Sequence, residues 1–301
     1  MLLPRSSETI AICGNDISAI EVTSQIKIEQ DSTTLCCQGP GSCVLKSTGT
    51  DRNLLVTGSS VTLRDISFFD GVSDTDGGNV AITGGGEHKI IRCEFHDGRS
   101  TLNGGNLFVS DSSRVSIERS SFLRGDAAFG GGGVAVRDVV DFTTQDCVFE
   151  KNSATDGGGV IVSSAKLEPA MLQSVAITGA IFAENNAEVG GGLLLTNIWE
   201  GSEFILEQSS FFGNFASSEG PVGAIYHYSD DIEFSMAKNF GVGNLAPFDP
   251  NRCEGFSFYL GEAFCIGTNQ NIRFSGGSRA PSEAPTSAPA SIENQRRSIA
   301  R

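Results

Sequence analysis

Tryptophan, tyrosine, methionine and basic residues are scarce in this chain of 301 residues, which contains one Trp, three Tyr and three Met. Lys and Arg number 21 against 36 Asp and Glu, so the net charge is −15 at pH 7. A surface of this charge repels phosphates, which excludes nucleic acids and anionic membrane surfaces as expected partners. It also disfavours polyanionic polysaccharides as tight ligands.

Long apolar runs are missing too. No stretch of 18 apolar residues occurs, so we expect no membrane-spanning segment in this chain. The first residues, Met1 to Arg5, lack the charged and apolar regions of a signal peptide. Because the eight cysteines are typical of an oxidising compartment, we nevertheless expect an extracellular or cell-surface protein with a truncated N-terminus.

The apolar period of 3.6 residues that marks helices is absent, and a repeat of about 27 residues takes its place. Each repeat contains a marker, usually Phe, followed three residues later by Gly or Asn. The pairs are Phe68/Gly71, Phe95/Gly98, Phe122/Gly125, Phe149/Asn152, Phe182/Asn185, Phe211/Asn214 and a degenerate Met236/Asn239. A period of this kind indicates stacked structural units.

Within each repeat, short segments of alternating apolar and polar residues are separated by polar turns and a glycine cluster. This pattern predicts an all-β solenoid. Like residues of successive coils then lie above one another, which predicts a stacked column of the marker phenylalanines. It also predicts an amide ladder at one corner, formed by Asn152, Asn185, Asn214 and Asn239. The glycines let neighbouring corners approach closely.

The combination of Gly-Gly-x-apolar with Phe-x-x-Asn resembles the repeats of polymorphic outer-membrane autotransporter adhesins. The clearest copy runs from Phe149 to Asn152 and continues from Gly157 to Ile161. More broadly, residues 55–245 resemble the right-handed parallel β-helix, or pectin-lyase-like, superfamily. The resemblance implies an all-β, right-handed parallel β-helix, for which we expect about seven to nine coils. The positions of the cysteines add the expectation of disulfide-stapled ends.

Three segments are expected along the chain. Residues 1–54 are predicted to form irregular N-terminal coils or a cap, and residues 55–275 the β-helix with its C-terminal cap. Residues 276–301 are rich in Pro, Ser and Ala, which predicts a disordered tail.

The cysteines fall into two terminal groups and a central pair. The terminal groups are Cys13, Cys36, Cys37 and Cys43, and Cys253 and Cys265. Terminal coils have a neighbour on one side only, so disulfides stabilise them most. We therefore predict a Cys253–Cys265 bridge and at least one bridge among the N-terminal four, whose connectivity stays open. Cys93 and Cys147 are expected to lie two coils apart, roughly 9–10 Å, as buried free thiols.

Enzymes of the resembled superfamily cut acidic polysaccharides, but their motifs are largely missing. A polygalacturonase-like hydrolase needs Asp-Asp and Gly-His-Gly on successive coils, together with Asn-x-Asp and Arg-x-Lys. Asp230-Asp231 is the only Asp-Asp pair, and no Gly-His-Gly occurs. His227 lies between Tyr226 and Tyr228. The candidates for catalysis are therefore Asp230, Asp231 and His227, and the candidates for stacking against a sugar are Tyr226 and Tyr228.

A lyase-like site would instead hold Ca²⁺ with several carboxylates beside an arginine base. Four aspartates lie near turns on consecutive coils and are the candidate ligands: Asp74, Asp76, Asp97 and Asp126. Aspartate is also an ordinary turn residue, so the pattern requires no cofactor. Ca²⁺ is the cation that such a site would take.

One residue after each glycine cluster should point outward from the coil. These residues are Ala81, Phe108, Ala135, Ile161 and Leu194. They predict an apolar stripe that is either an interaction site or a covered face, with Phe108, Ile161 and Leu194 as binding candidates. A register shifted by one residue would instead turn every one of them inward.

Two functions follow from these patterns. The first is a non-catalytic extracellular or surface-displayed β-helix, an adhesin-like scaffold that binds glycans or cell-wall components. The second is a Ca²⁺-dependent polysaccharide lyase or a divergent glycoside hydrolase. Convergence of the four aspartates in one groove beside an arginine would favour the enzyme, and their dispersal along turns would favour the scaffold.

Overall fold

The computed structural model describes residues 9–12, 19–37, 43–164, 173–198, 201–227, 233–246, 256–259, 263–266 and 272–274. Of these, only the backbone is described for residues 9–12, 198, 226–227 and those from 256 onward. The described residues form β-strands joined by turns and contain no helix.

The strands, in chain order, are β1 (Thr9–Ile12), β2 (Ile20–Val22), β3 (Ile26–Ile28), β4 (Thr34–Cys37), β5 (Cys43–Ser47), β6 (Leu54–Val56), β7 (Thr62–Arg64), β8 (Ile66–Phe69), β9 (Val72–Ser73), β10 (Val80–Ile82), β11 (Glu87–Ile91), β12 (Glu94–His96), β13 (Arg99–Ser100), β14 (Leu107–Ser110), β15 (Arg114–Glu118), β16 (Ser121–Leu123), β17 (Asp126–Ala127), β18 (Val134–Arg137), β19 (Asp141–Gln145), β20 (Val148–Glu150), β21 (Val160–Ser163), β22 (Ser174–Thr178), β23 (Ile181–Ala183), β24 (Asn186–Val189), β25 (Leu193–Ile198), β26 (Glu203–Glu207), β27 (Ser210–Phe212), β28 (Phe215–Glu219), β29 (Gly223–His227), β30 (Glu233–Ala237), β31 (Phe240–Val242), β32 (Phe256–Tyr259), β33 (Ala263–Ile266) and β34 (Ile272–Phe274).

Three long sheets form the walls of the coil. Sheet A has the order β1-β4-β7-β11-β15-β19-β22-β26-β30-β34, sheet B the order β2-β5-β8-β12-β16-β20-β23-β27-β31, and sheet C the order β3-β6-β10-β14-β18-β21-β25-β29-β32-β33. Neighbouring strands are parallel, except that β34 and β33 close sheets A and C with antiparallel pairs. The chain is thus a parallel β-solenoid of about seven coils, which confirms the predicted fold.

A column of stacked phenylalanine rings runs through the interior. Pairing in sheet B brings the six marker phenylalanines into register: Phe68, Phe95, Phe122, Phe149, Phe182 and Phe211. The centroids of neighbouring rings are 4.7 to 5.2 Å apart, and the rings are nearly parallel. All six side chains are fully buried. The predicted aromatic column is therefore confirmed.

An amide ladder runs along one corner of the later coils through Asn152, Asn185, Asn214 and Asn244. The Nδ2 atom of each asparagine donates to the Oδ1 atom of the next at 2.9 to 3.0 Å. The same Oδ1 atom accepts the main-chain N–H of the preceding asparagine at 3.0 Å. The side chains of all four are buried, so these bonds satisfy groups that water cannot reach.

The prediction that Asn239 is the fourth member of the ladder was wrong. Met236 aligns with Leu206 in sheet A, and the residue that pairs with Phe211 in sheet B is Gly241. Asn239 instead donates to the Leu206 carbonyl oxygen at 2.8 Å. Because the last coil has glycine at the marker position, the sequence pattern slipped onto an apolar residue of the preceding strand.

The early coils carry glycine at this corner, and the amide comes from an asparagine that lies eight residues further along the chain. Asn79 Oδ1 accepts the Gly71 N–H at 2.8 Å, and Asn106 Oδ1 accepts the Gly98 N–H at 3.0 Å. A Cβ on Gly98 would lie 2.7 Å from Asn79 Nδ2, so only glycine fits there. Asn106 Nδ2 then reaches Asn152 Oδ1 at 3.4 Å, which joins the two parts of the ladder.

One disulfide is present near the N-terminal end, between Cys37 and Cys43, whose Cα atoms are 5.8 Å apart. This confirms the prediction of at least one bridge among the four N-terminal cysteines. Cys36 is free and buried. Three members of the predicted terminal groups, Cys13, Cys253 and the side chain of Cys265, lie outside the described residues.

The central cysteines are free thiols, as predicted from their separation by two coils. Cys93 and Cys147 are both fully buried in the main core. Burial raises the pKa of the Cys93 thiol to about 12 and that of Cys147 to about 11. Both residues therefore act as small apolar side chains in the native state.

The predicted domain limits remain predictions. Strands β2 to β5, within residues 20–47, pair in parallel with strands of the following coils, so the sheets continue across residue 54. Residues 276–301 lie outside the described residues.

Replacement of Thr144 by valine is expected to stabilise the protein. Thr144 lies in the inward column of sheet A between Ile117 and Ile177, and its buried hydroxyl has no hydrogen-bond partner in the described part of the chain. An unpaired buried hydroxyl costs about 1–3 kcal/mol, so the valine should raise the free energy of unfolding by about 1 kcal/mol or more. Urea unfolding measures this, with Thr143→Val, on the outer face of the same strand, as the control. A loss of stability in Thr144→Val would contradict the assignment.

Candidate functional site

The predicted binding residues Phe108, Ile161 and Leu194 lie on the outer face of sheet C, as the sequence register predicts. Their side chains are nevertheless only 2%, 8% and 2% exposed. With Ala135 and Ala224 they form a second apolar cluster, separate from the main core. The apolar stripe is therefore a covered face, and the open binding surface expected there is not formed.

The loops that connect sheet B to sheet C cover this face. They stack on one another as two small parallel sheets, one of β9, β13 and β17 and one of β24 and β28. Gly157 ends one such loop with a φ of 61°, and a Cβ added to it would lie 3.0 Å from the Cβ of Ile161. Glycine is thus needed at position 157 both for the turn and for the close approach of the loop to Ile161. The guanidinium of Arg137 also lies over this face, 4.9 Å from the centroid of the Phe108 ring.

The four candidate metal ligands occupy four different columns of the solenoid: Asp74, Asp76, Asp97 and Asp126. Asp97 accepts two hydrogen bonds of 2.7 Å from Arg124, which hold the pKa of the Asp97 carboxyl below its ordinary value. Asp76 Oδ1 accepts from Asn103 Nδ2 at 2.8 Å, and Arg137 lies 3.6 Å from Asp76 Oδ2. Both carboxylates are thus occupied by neighbouring side chains.

The other two aspartates are exposed. Asp126 pairs with Arg99 in the ladder of the small sheet, and Asp74 follows the end of β9 in a loop. Within the described ranges, no group of three or more His, Cys, Asp or Glu side chains is arranged to hold a metal ion. The four aspartates are therefore dispersed along turns and do not converge.

The cluster around His227 is largely outside the described residues. Tyr228, Asp230 and Asp231 all fall there. Tyr226 and His227 end β29, but their side chains are likewise outside the description. Their assignment to catalysis or sugar stacking stays a prediction.

A groove of about 440 Å³ opens where the strands of sheet A begin. It runs across the first residues of β11, β15, β19, β22 and β26. Its lining residues are Glu87, Ser113, Arg114, Val140, Asp141, Gln173, Ser174, Gly201 and Glu203. Five of these residues form one column, one residue per coil, because the strands pair in register: Glu87, Arg114, Asp141, Ser174 and Glu203. We call this the sheet A groove.

Arg114 is shared between two carboxylates of the sheet A groove. Its Nε atom lies 2.7 Å from Asp141 Oδ2, and its Nη1 atom lies 3.8 Å from Glu87 Oε1. The hydrogen bond that Arg114 donates to Asp141 raises the pKa of the Arg114 guanidinium. Glu203 lies two strands beyond Asp141 and forms no ion pair with the part of the chain that the structure describes.

Sequence patterns missed the sheet A groove, although a signal was present. Glu87, Arg114 and Asp141 are spaced by 27 residues, and Ser174 and Glu203 follow after 33 and 29. These are the spacings of the marker phenylalanines over the same coils. If the polar positions as well as the apolar ones are aligned to the marker phenylalanines, these polar residues fall into one column.

His88, one of three histidines, is structural. It is fully buried in sheet A, where its Nδ1 atom accepts the Val61 N–H at 3.1 Å and its Nε2 atom donates to the Gly84 carbonyl at 2.7 Å. Burial lowers the pKa of His88, so the native state holds it neutral.

The stability contributed by this neutral histidine is expected to fall at acidic pH. The unfolded histidine takes up a proton below about pH 6.5, whereas the native one resists it until its lower pKa is reached. The slope is at most about 1.4 kcal/mol per pH unit. The difference in unfolding free energy between wild type and His88→Gln should therefore narrow by about 1–2 kcal/mol between pH 7.5 and pH 5. An unchanged difference would show that native His88 takes up its proton over the same pH range as the unfolded residue, so that its pKa is not lowered.

No described helix is long and apolar enough to cross a membrane.

Comparisons with curated proteins and with solved structures found no match. A family model described as the right handed beta helix region matches residues 43–236. That match covers the phenylalanine column, the sheet A groove and the asparagine ladder as far as Asn214. The match does not confirm the narrower resemblance to autotransporter repeats. Because it extends over more than half of the chain, the chain belongs to the right-handed beta helix family.

Proposed function

We propose that this protein is a non-catalytic, extracellular or surface-displayed β-helix, an adhesin-like scaffold that binds a glycan or cell-wall component. The dispersal of Asp74, Asp76, Asp97 and Asp126 carries the proposal. Lyase chemistry needs several carboxylates around one cation beside a base. Here Asp97 and Asp76 bond to Arg124 and Asn103 instead, and thereby stabilise the stacking of coils.

The scaffold itself supports a binding role. In-register parallel pairing repeats equivalent side chains at intervals of about 4.8 Å along the axis, which suits ligands that are themselves repetitive. The buried phenylalanine column and amide ladder keep this spacing rigid. A rigid platform lowers the entropy lost on binding an extended chain.

An oxidising location is supported by the Cys37–Cys43 disulfide, since such bonds persist mainly outside the reducing cytosol. The net charge of −15 agrees with a solvated exterior protein whose partners are neither nucleic acids nor anionic membranes.

The test is an assay for both binding and cleavage of acidic and neutral polysaccharides. Purified protein would be incubated with each polymer in Ca²⁺ and in chelator, and unsaturated-uronide absorbance and reducing ends would be followed together. Affinity electrophoresis on the same polymers would report binding. Retardation without either product supports the scaffold. Ca²⁺-dependent absorbance would overturn it in favour of a lyase, and reducing ends alone would favour a hydrolase.

A further inference from the structure

The sheet A groove combines a cavity with a repeating polar column. Glu87, Arg114 and Asp141 occupy adjacent strands, and Ser174 and Glu203 follow on the next two. Neighbouring members are separated by about 4.8 Å along the solenoid axis. The groove is therefore suited to a ligand that extends over several coils, in contrast to a single ion.

The charges of the groove favour a cationic ligand. Three carboxylates, Glu87, Asp141 and Glu203, face one guanidinium, Arg114, so the formal charge of the lining is −2. The single guanidinium is held between Glu87 and Asp141, while Glu203 has no such partner among the described residues. An anionic polysaccharide would be repelled here, and a protonated amine would be attracted.

A buried acceptor in the lining lacks a donor. Gln173 is only 2% exposed, and its Nε2 atom donates to the Val139 carbonyl at 3.3 Å. Its Oε1 atom has no hydrogen-bond partner among the residues that the structure describes. Unpaired buried acceptors are rare in folded proteins because they are costly. This second observation, independent of the acidic column, indicates that the groove is short of hydrogen-bond donors.

The chemistry of the lining narrows the ligand further. Carboxylates and the Gln173 amide oxygen accept hydrogen bonds, Ser113 and Ser174 can also donate them, and Val140 is the one sizeable apolar side chain. Such a surface recognises hydroxyl and ammonium groups and offers little to an apolar molecule. A saccharide with free amino groups supplies both kinds of donor along an extended chain.

We propose that the sheet A groove binds an oligosaccharide of amino sugars with free, protonated amines. Asp141 and Glu203 accept hydrogen bonds from ammonium and hydroxyl groups, and Arg114 orients the Asp141 carboxylate through the hydrogen bond that it donates. The inference rests on the proposed function and specifies the class of glycan and the place where it binds.

Calorimetric titration of the full chain tests this with three probes: a glucosamine oligomer, the fully N-acetylated oligomer of the same length, and an oligolysine peptide. The glucosamine oligomer should bind, at least tenfold more tightly than the acetylated one, and more weakly as salt rises. Glu203→Gln and Asp141→Asn should each weaken binding about tenfold, the effect of one lost charge-assisted hydrogen bond. Glu207→Gln, at the far end of the same strand as Glu203, should leave affinity unchanged.

The outcomes separate this proposal from the function on which it rests. Equal binding of the acetylated oligomer, or binding that is insensitive to Glu203→Gln and Asp141→Asn, overturns the groove assignment. Tighter binding of oligolysine than of the sugar makes the groove a peptide site and overturns the assignment too. If another glycan binds and is unaffected by both variants, the scaffold function stands without this site. Cleavage of a polysaccharide would overturn the proposed non-catalytic function itself.

Discussion

Phe122→Ala is expected to lower the free energy of unfolding by about 3–5 kcal/mol, the usual cost of deleting a buried phenylalanine ring. Phe122 is fully buried, and its ring lies 4.7 Å from that of Phe95 and 5.2 Å from that of Phe149, centroid to centroid. The truncation therefore opens a cavity and removes two stacking contacts at once. The rigid coils above and below limit collapse into the space, which places the cost toward the upper end.

Urea unfolding followed by circular dichroism measures this loss, and the unfolding slope should stay constant. Phe129→Ala is the matched control, because Phe129 belongs to the same coil but is 58% exposed. Its effect should remain within about 0.5 kcal/mol, as for most surface substitutions. A loss in Phe122→Ala no larger than the control would place Phe122 outside the core.

Asn185→Ala is expected to cost about 3–5 kcal/mol, although the residue is polar. Its Oδ1 atom accepts two hydrogen bonds of 3.0 Å from Asn152, and its Nδ2 atom donates to the Phe149 carbonyl and to Asn214 at 2.9 Å. Alanine leaves at least the Asn152 N–H and the Phe149 carbonyl without this partner inside the coil. Each buried group left unpaired costs about 1–3 kcal/mol.

Asn186→Ala provides the control for this experiment. Asn186 is the next residue and is exposed, so its replacement should change stability by less than about 0.5 kcal/mol. Hydrogen exchange would add a local readout, since the Asn152 amide should lose protection in Asn185→Ala. A fully protected Asn152 amide in that variant would contradict its bond to the Asn185 side chain.

Much of the fold could be predicted because its strongest signals are local and repeated. Six phenylalanines at nearly constant spacing indicate a coil of fixed length, and parallel in-register pairing follows from like side chains above like. The buried free thiols Cys93 and Cys147 followed from the same spacing. The last coil broke the rule, since Gly241 replaces the aromatic residue and Asn244, in place of Asn239, completes the ladder.

The candidate site was less predictable. Phe108, Ile161 and Leu194 were placed correctly on the outer face, but the sequence does not show that loops ending in glycine fold back over them. The sheet A groove joins residues from five coils, and the unpaired Oε1 atom of Gln173 is defined only by its three-dimensional surroundings.

By itself the sequence determined the repeat length, the all-β parallel coil, the aromatic column and the acidic charge, because each depends on residue type and spacing. Only the tertiary structure decided which outer face is covered, which asparagine ends the corner ladder, and where carboxylates gather. The physical reason is that coverage and pairing depend on the path of the loops between coils. Residues 27 to 33 positions apart become neighbours there, and whether two such side chains meet is fixed by packing that spacing alone does not specify.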